Sequence, residues 1–146
     1  MKTYQDLIDA ALPHIRELMP WEAETLLDDA SDTLVLDVRE PAEYQCFKIA
    51  QSLNVPRGVL EQATEEHFDE SEPKLINGRQ RPILVVCRSG NRSVLAAFTL
   101  KLLGFEKVYS MKTGIKGWND FDLPLQDATG QIMDGDDVDQ FLSKTS

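Results

Sequence analysis

The sequence predicts an α/β protein with a central, mainly parallel sheet flanked by helices, and three observations point to it. Short, mostly apolar runs alternate along the chain with segments of helical character. The runs are continuous rather than alternating in polarity, which is typical of strands buried on both faces of a parallel sheet. Proline and glycine residues mark the ends of these elements.

The N-terminal half begins with a segment of helical spacing. Apolar residues from Tyr4 to Met19 recur on one face, which predicts an amphipathic helix bent at Pro13. Pro20 opens a second predicted helix, with Leu26 and Leu27 as its buried face. The elements predicted next are a buried strand over 33–38, a helix restarting at Pro41, a short strand over 53–55 closed by Pro56, and a polar helix and loop over 57–69.

The C-terminal half contains the longest predicted strand–helix unit. The apolar run 82–86 predicts a buried strand, and 94–103 predicts a helix that ends at Gly104. The elements predicted after it are a strand over 107–110, a turn and short helix from Gly114, and a terminal helix over 134–142 that docks through Val138, Phe141 and Leu142.

Size and charge limit the kinds of partner. A chain of 146 residues is expected to form one domain with a sizeable core. Its 25 acidic and 15 basic residues give a net charge of −10, which makes nucleic acids and anionic membrane surfaces poor partners. No run is long enough to span a membrane and none has the pattern of a secretory signal, so we expect a cytoplasmic protein. Its two cysteines are then expected to be thiols rather than a disulfide framework.

The most informative segment is Cys87–Ser93, which follows the predicted strand 82–86 and opens the next helix. Parallel sheets bind ligands at the carboxyl ends of their strands, and Cys87 falls at such an end. The loop N–H groups, the helix N-terminus, and the charges of Arg88 and Arg92 all favour a thiolate and an anion beside it. The segment therefore predicts a thiolate site that handles a small anion.

Two smaller residues of this segment have expected roles in its conformation. Gly90 permits a turn that a side chain would block, and Ser93 is expected to cap the helix or to hydrogen-bond the sulfur. The alternative interpretation is a Cys87 that only packs in the core as a small apolar residue. Two arginines and a glycine directly after the strand fit a core poorly and an anion site well.

The segment and three further motifs resemble the rhodanese family of sulfurtransferases. Cys87–Ser93 is similar to that family's six-residue active-site loop and the serine after it. The other motifs are Leu36–Tyr44, Leu53–Gly58, and Gly114–Trp118 with Leu123–Leu125, in the family's order. The resemblance implies a rhodanese-like domain over 21–125, with an N-terminal helical extension over 1–20 and a C-terminal extension over 126–146 that packs on the same domain.

The resemblance also implies the chemistry. In rhodaneses the loop cysteine takes a sulfane sulfur from an anionic donor such as thiosulfate, becomes a persulfide, and passes the sulfur to a thiol or to cyanide. Catalysis is thereby placed on Cys87, and donor binding on Arg88, Ser89, Gly90, Asn91, Arg92 and Ser93. A thiol or a protein is implied as acceptor, without a metal or organic cofactor. The oligomeric state stays open.

One segment departs from the family pattern. Rhodaneses usually have Gly-His-Ile-x-Gly-Ala where this chain has Phe47–Ser52, so we expect a turn of different construction. Cys46 lies beside it and is a candidate resolving thiol, with a packing role as the alternative. Asp37 and Arg39 are candidate supporting residues: Asp37 is expected to bond loop amides or to pair with Arg39 or Arg92, and a structural ion pair is the favoured interpretation.

Two other functions stay open beside the sulfurtransferase. The domain could be a partner-dependent sulfur carrier with little turnover of thiosulfate. Phosphatases and arsenate reductases related to rhodaneses form the less favoured alternative, because they use a loop with five residues between cysteine and arginine. Only four residues stand between Cys87 and Arg92.

Overall fold

Five parallel strands form one sheet in the computed structural model, which describes residues 2–144. The strands are β1 (Arg16–Leu18), β2 (Leu34–Asp37), β3 (Leu53–Asn54), β4 (Ile83–Val86) and β5 (Val108–Met111). Their order across the sheet is β1-β5-β4-β2-β3. The predicted α/β class with a parallel sheet is confirmed.

Helices cover both faces of this sheet. Within residues 2–144 they are α1 (Tyr4–Ala11), α2 (Pro20–Asp29), α3 (Pro41–Cys46), α4 (Leu60–Ala63), α5 (Pro73–Ile76), α6 (Arg92–Leu102), α7 (Gly114–Asp120) and α8 (Gly135–Lys144). The terminal helix predicted over 134–142 is therefore present, and Val138 and Leu142 are buried as expected. None of the helices in this part of the chain has the length and apolar character that a membrane crossing requires.

Alternate residues of the central strands belong to two separate cores. On β4, Ile83 and Val85 pack in the core that includes α6, whereas Leu84 and Val86 pack in the core that includes α7 and α8. All four residues of β4 are buried. Burial on both faces explains why the sequence of this strand is continuously apolar.

The N-terminal segment differs from its prediction. The helix expected over 4–19 ends at Ala11, a single 3₁₀ turn follows over Leu12–His14, and Arg16–Leu18 is an edge strand paired with β5. Pro13 is the physical reason, because it lacks an N–H donor and its ring obstructs the preceding turn of a continuing helix. The segment expected to be a helical extension thus contributes one strand to the sheet.

The register of β2 and β4 sets the position of the site. Asp37, the last residue of β2, lies beside Val86, the last residue of β4. Because the two strands are parallel neighbours, the segments that leave them emerge at the same edge of the sheet. Cys87 and Arg39 therefore lie at the same edge of the sheet, although they are 48 positions apart in sequence.

Candidate active site

Cys87 lies at the bottom of a cradle of backbone N–H groups. Its Sγ accepts hydrogen bonds from the N–H groups of Gly90, at 3.2 Å, and Ser93, at 3.3 Å. The residue is 1% exposed, so little water competes for these bonds. N–H groups that converge on one atom, together with the N-terminus of α6, favour a negative charge at that atom. The arrangement suits a thiolate or a sulfur anion bound to it.

Two buried serines extend this network. Ser93 Oγ lies 3.4 Å from Cys87 Sγ, and the Ser110 hydroxyl donates to Ser93 Oγ at 2.8 Å. In this structure the Cys87 thiol also donates to Ser93 Oγ, so the Ser93 hydroxyl hydrogen becomes available to the sulfur once that thiol has lost its proton. Ser110 was not among the residues predicted for the site. The sequence showed only a serine at the end of the strand predicted over 107–110; the structure shows that this hydroxyl is fully buried, where it requires a hydrogen-bond partner.

Helix α7 supports the cradle from below. The N–H groups of Ile115 and Lys116 donate to the carbonyls of Cys87 and Arg88, at 2.9 and 3.1 Å. Gly114 makes this approach feasible: its φ is +63°, and a Cβ there would lie 2.5 Å from the Cys87 carbonyl oxygen. A side chain at this position would therefore push the helix and the loop apart.

Gly114→Ala is expected to destabilise the fold by about 2–4 kcal/mol and to lower activity, because left-handed strain and a backbone clash act together. Gly104→Ala is the matched control. Gly104 also has a positive φ, +93°, but nothing lies within 4 Å of the added Cβ. Its cost should be about 1 kcal/mol, with activity unchanged. Urea unfolding and turnover measure both effects, and equal losses in the two variants would contradict this account of Gly114.

Arg92 is held by a carboxylate. Its Nη1 and Nη2 donate to the two oxygens of Glu43 at 2.8 and 3.0 Å, which is a bidentate pair. These hydrogen bonds lower the pKa of Glu43 and raise the pKa of Arg92. Glu43 belongs to α3, so this pair joins the helix after β2 to the start of α6. The pair also offsets part of the positive charge expected to attract an anion.

Glu43→Gln is expected to lower the free energy of unfolding by about 1 kcal/mol at neutral pH. The effect is this small because about a third of each side chain of the Arg92–Glu43 pair is exposed, and solvent screens the interaction. A free glutamate titrates near pH 4.3. Since the folded pKa of Glu43 is lowered, the pair contributes fully above that pH and is lost as the pH falls through the folded value. Urea unfolding at pH 7 and near pH 3 tests this.

The difference between wild type and Glu43→Gln should therefore shrink in acid. Glu61→Gln is the control, because Glu61 pairs with Arg57 but its side chain is 52% exposed. It should change stability less at either pH. A Glu43→Gln difference that is the same at both pH values would contradict the role given to the Arg92 pair.

Arg88 points toward the C-terminal helix. Its Nη2 donates to the backbone carbonyl of Leu142 in α8. Ser89 and Asn91 are exposed at the rim of the loop. The structure thus brings the predicted loop residues together around the sulfur, but both arginine side chains contact other parts of the protein.

Comparison with known proteins identifies the family to which this chain belongs. The sequence profile of the rhodanese-like domain matches residues 19–121. The chain belongs to the rhodanese family. It is 34% identical over 91 residues to YrkF of Bacillus subtilis, whose name describes a sulfur carrier protein. This match covers 62% of the present chain and 44% of YrkF. It is 30% identical over 82 residues to the thiosulfate sulfurtransferase GlpE of Tolumonas auensis, with 56% and 68% covered.

A solved structure resembles this chain over most of its length. The Rhodopseudomonas palustris protein RPA3614, described as of unknown function and as a possible tyrosine phosphatase, has a TM-score of 0.75 and 27% identity. The match covers 91% of this chain and 96% of that one. In contrast, the chain spans less than half the length of the first curated relatives it matches.

Asp37 and Arg39 form a buried ion pair. Arg39 Nη2 lies 2.8 Å from Asp37 Oδ2, and the two side chains are 2% and 0% exposed. Arg39 also donates to the Phe47 carbonyl at 2.7 Å, and its backbone N–H donates to Asp37 Oδ1 at 3.1 Å. The pair fixes the turn that leads from β2 into α3. It therefore supports Glu43 rather than contacting the sulfur.

Cys46 ends α3 as a half-buried free thiol. Its Sγ donates to the Ala42 carbonyl one turn earlier at 3.3 Å, and the side chain lines a cavity of about 380 Å³. Phe47 follows it in an extended conformation and is 1% exposed. A large, buried aromatic residue thus stands at the start of the segment that departs from the family pattern.

The turn in that segment keeps a left-handed residue. Gln51 has φ +62°, a conformation that glycine adopts without strain. It stands where rhodaneses usually have their second glycine. Gln51 thus adopts this conformation with a side chain, and hydrogen bonds of Ser52 close the turn. Its Oγ donates to the Ile49 carbonyl at 2.6 Å, and its carbonyl accepts from Tyr44 at 2.7 Å.

Proposed function

We propose that the protein transfers a sulfane sulfur through a persulfide on Cys87. The observation that carries the proposal is the cradle itself: a nearly inaccessible thiol whose sulfur accepts two backbone N–H groups at a strand end. The similarity to GlpE supports the same conclusion, since its name describes a thiosulfate sulfurtransferase.

In the first step the Cys87 thiolate attacks the outer sulfur of a donor. With thiosulfate, the new S–S bond forms as the old one breaks, and sulfite leaves with the electron pair of the broken bond. The products are the Cys87 persulfide and sulfite. The step consumes no external oxidant, because the outer sulfur is already at the sulfane level.

The cradle then holds the persulfide anion. The N–H groups of Gly90 and Ser93 and the N-terminus of α6 face the sulfur, and such preorganised dipoles stabilise charge without rearranging. The Ser93 hydroxyl adds a further donor, oriented by Ser110. Fixed dipoles at the sulfur carry more of this stabilisation than Arg92, whose charge Glu43 offsets.

In the second step an acceptor attacks the outer sulfur. A thiolate yields an organic persulfide, cyanide yields thiocyanate, and the electron pair of the broken S–S bond returns to Cys87. The enzyme is thus restored, and the two half-reactions give ping-pong kinetics.

A sulfur carrier that depends on protein partners is the second candidate. The observation that favours it is the engagement of Arg88 and Arg92 by Leu142 and Glu43, which leaves less positive charge for binding thiosulfate. Comparison of sulfur uptake from thiosulfate with uptake from a persulfidated protein separates the two. A carrier is expected to accept sulfur only from the protein.

Steady-state turnover with thiosulfate and cyanide tests the proposed enzyme. We expect thiocyanate formation with parallel double-reciprocal lines, the signature of ping-pong order. An aryl phosphate is the control substrate, and no Cys87-dependent hydrolysis is expected from a loop with four residues between Cys87 and Arg92. Phosphate hydrolysis without sulfur transfer would contradict the proposal.

A further inference from the structure

A second feature beside the cradle is an apolar cavity of about 380 Å³ between α3 and α8. Its apolar lining consists of Ala42, Cys46, Phe47, Phe141 and Leu142. The rings of Phe47 and Phe141 meet edge to face at 5.2 Å between their centroids, so an aromatic pair forms part of the wall. Ala42 is exposed, and the cavity therefore opens to solvent.

The position of the cavity relates it to the reacting sulfur. Arg88, the residue after Cys87, forms part of its wall. Glu43, the partner of Arg92, forms another part. The cavity is thus bordered by the contact of Arg88 with Leu142 and by Glu43, the partner of Arg92. Cys87 is not among the described residues that line the cavity. The cavity therefore suits the body of a substrate rather than its reacting sulfur.

The charged groups in the wall all have partners. Arg39 is paired with Asp37, Glu43 with Arg92, and Arg88 donates to the Leu142 carbonyl. A second anionic group on a substrate would gain little from these groups. The remaining contacts are apolar, and apolar surface removed from water contributes about 25 cal/mol per Å².

We propose that this cavity binds the apolar body of a small organic thiol that accepts the sulfur from Cys87. The volume is that of a small-molecule site, typically about 300–1,000 Å³. The proposal rests on the persulfide mechanism above. The acceptor thiolate attacks the outer sulfur, one S–S bond forms, the bond to Cys87 Sγ breaks, and Cys87 keeps the electron pair. An organic persulfide leaves, and no net oxidation occurs.

Two acceptors with the same thiol test this proposal. N-acetylcysteamine and N-hexanoylcysteamine share the reacting end and differ by four methylene groups in the body. Protein is first loaded with sulfur from thiosulfate or polysulfide, and discharge by each thiol is then followed. The hexanoyl compound is expected to have at least about a tenfold higher kcat/KM, because each buried methylene is worth up to about 0.8 kcal/mol, a factor of about four.

A pair of variants on α3 locates the effect. Ala42→Leu fills the mouth of the cavity and should reduce the preference for the hexanoyl thiol to about threefold or less. Gln45→Leu is the matched control, because Gln45 is exposed on the same helix and lies outside the lining. It should keep the full preference. Discharge by cyanide, which has no apolar body, should be unchanged in both variants and shows that they are folded.

The outcomes separate this proposal from the one it rests on. Equal kcat/KM for the two thiols, or an undiminished preference in Ala42→Leu, overturns the acceptor site while persulfide formation stands. If no persulfide forms with any donor, the proposed function fails, and the acceptor site fails with it.

Discussion

Cys87→Ser is expected to lower sulfur-transfer turnover by about 10⁴-fold or more, because a serine hydroxyl cannot form the persulfide that both half-reactions require. The fold should persist, since serine is close in size and the cradle N–H groups can bond its oxygen. Thiocyanate production from thiosulfate and cyanide measures the loss. Circular dichroism and urea unfolding show whether the variant is folded.

Cys46→Ser is the control for this result. Cys46 lines the neighbouring cavity and is expected to retain turnover with cyanide within about threefold of wild type, a change of about 0.7 kcal/mol in barrier height. Full activity in Cys87→Ser, or loss of activity in Cys46→Ser alone, would show that the reacting thiol is Cys46 rather than Cys87.

Asp37→Ala is expected to destabilise the protein by about 3–5 kcal/mol, the largest stability effect among these predictions. Its carboxylate is fully buried and accepts bonds from the Arg39 side chain at 2.8 to 3.1 Å. Its removal leaves a buried, uncompensated guanidinium beside Phe47. The urea midpoint should fall with little change in slope.

A double variant separates the charge from the packing. Asp37→Leu combined with Arg39→Met removes both charges and should be less destabilising than Asp37→Ala, because no unpaired charge remains in the core. If the double variant is instead as unstable as the sum of its single changes, the two residues act independently. That result would contradict the structural role of the ion pair.

The cradle could be predicted from sequence because it is local. One apolar strand, one glycine and one helix N-terminus within Pro82–Leu103 are enough to aim N–H groups at Cys87. The parallel sheet was predictable for a similar reason, since continuous apolar runs report burial on both faces. Local chemistry therefore gives the class of fold and the position of the thiol.

The partners of the loop arginines could not be predicted in this way. Glu43 lies 49 residues from Arg92, and Leu142 lies 54 residues from Arg88. Only the register of the sheet and the docking of α8 bring them together. The sequence predicted the charges of Arg88 and Arg92 beside an anion and offered Asp37 as a partner of Arg92, whereas in the folded chain Arg92 pairs with Glu43 and Arg88 bonds the Leu142 carbonyl.

Two segments show how tertiary context overrides a local preference. Thr113 has φ +68°, an uncommon conformation for a β-branched residue. It is held because the N–H groups of α7 that follow it bond the carbonyls of the cradle. Ile15 and Leu18 fit the helical spacing of the N-terminus, but Leu18 belongs to an edge strand that pairs with β5. Spacing alone does not distinguish these outcomes.

Intact mass after exposure to sulfur donors tests the central claim most directly. Wild type, Cys46→Ser and Cys87→Ser are incubated with thiosulfate or polysulfide, freed of donor, and weighed before and after addition of cyanide. We predict that wild type and Cys46→Ser gain the mass of one sulfur atom, which cyanide removes, and that Cys87→Ser gains none. A wild type that gains no sulfur from any donor, or a Cys87→Ser that gains as much, would contradict persulfide chemistry at Cys87.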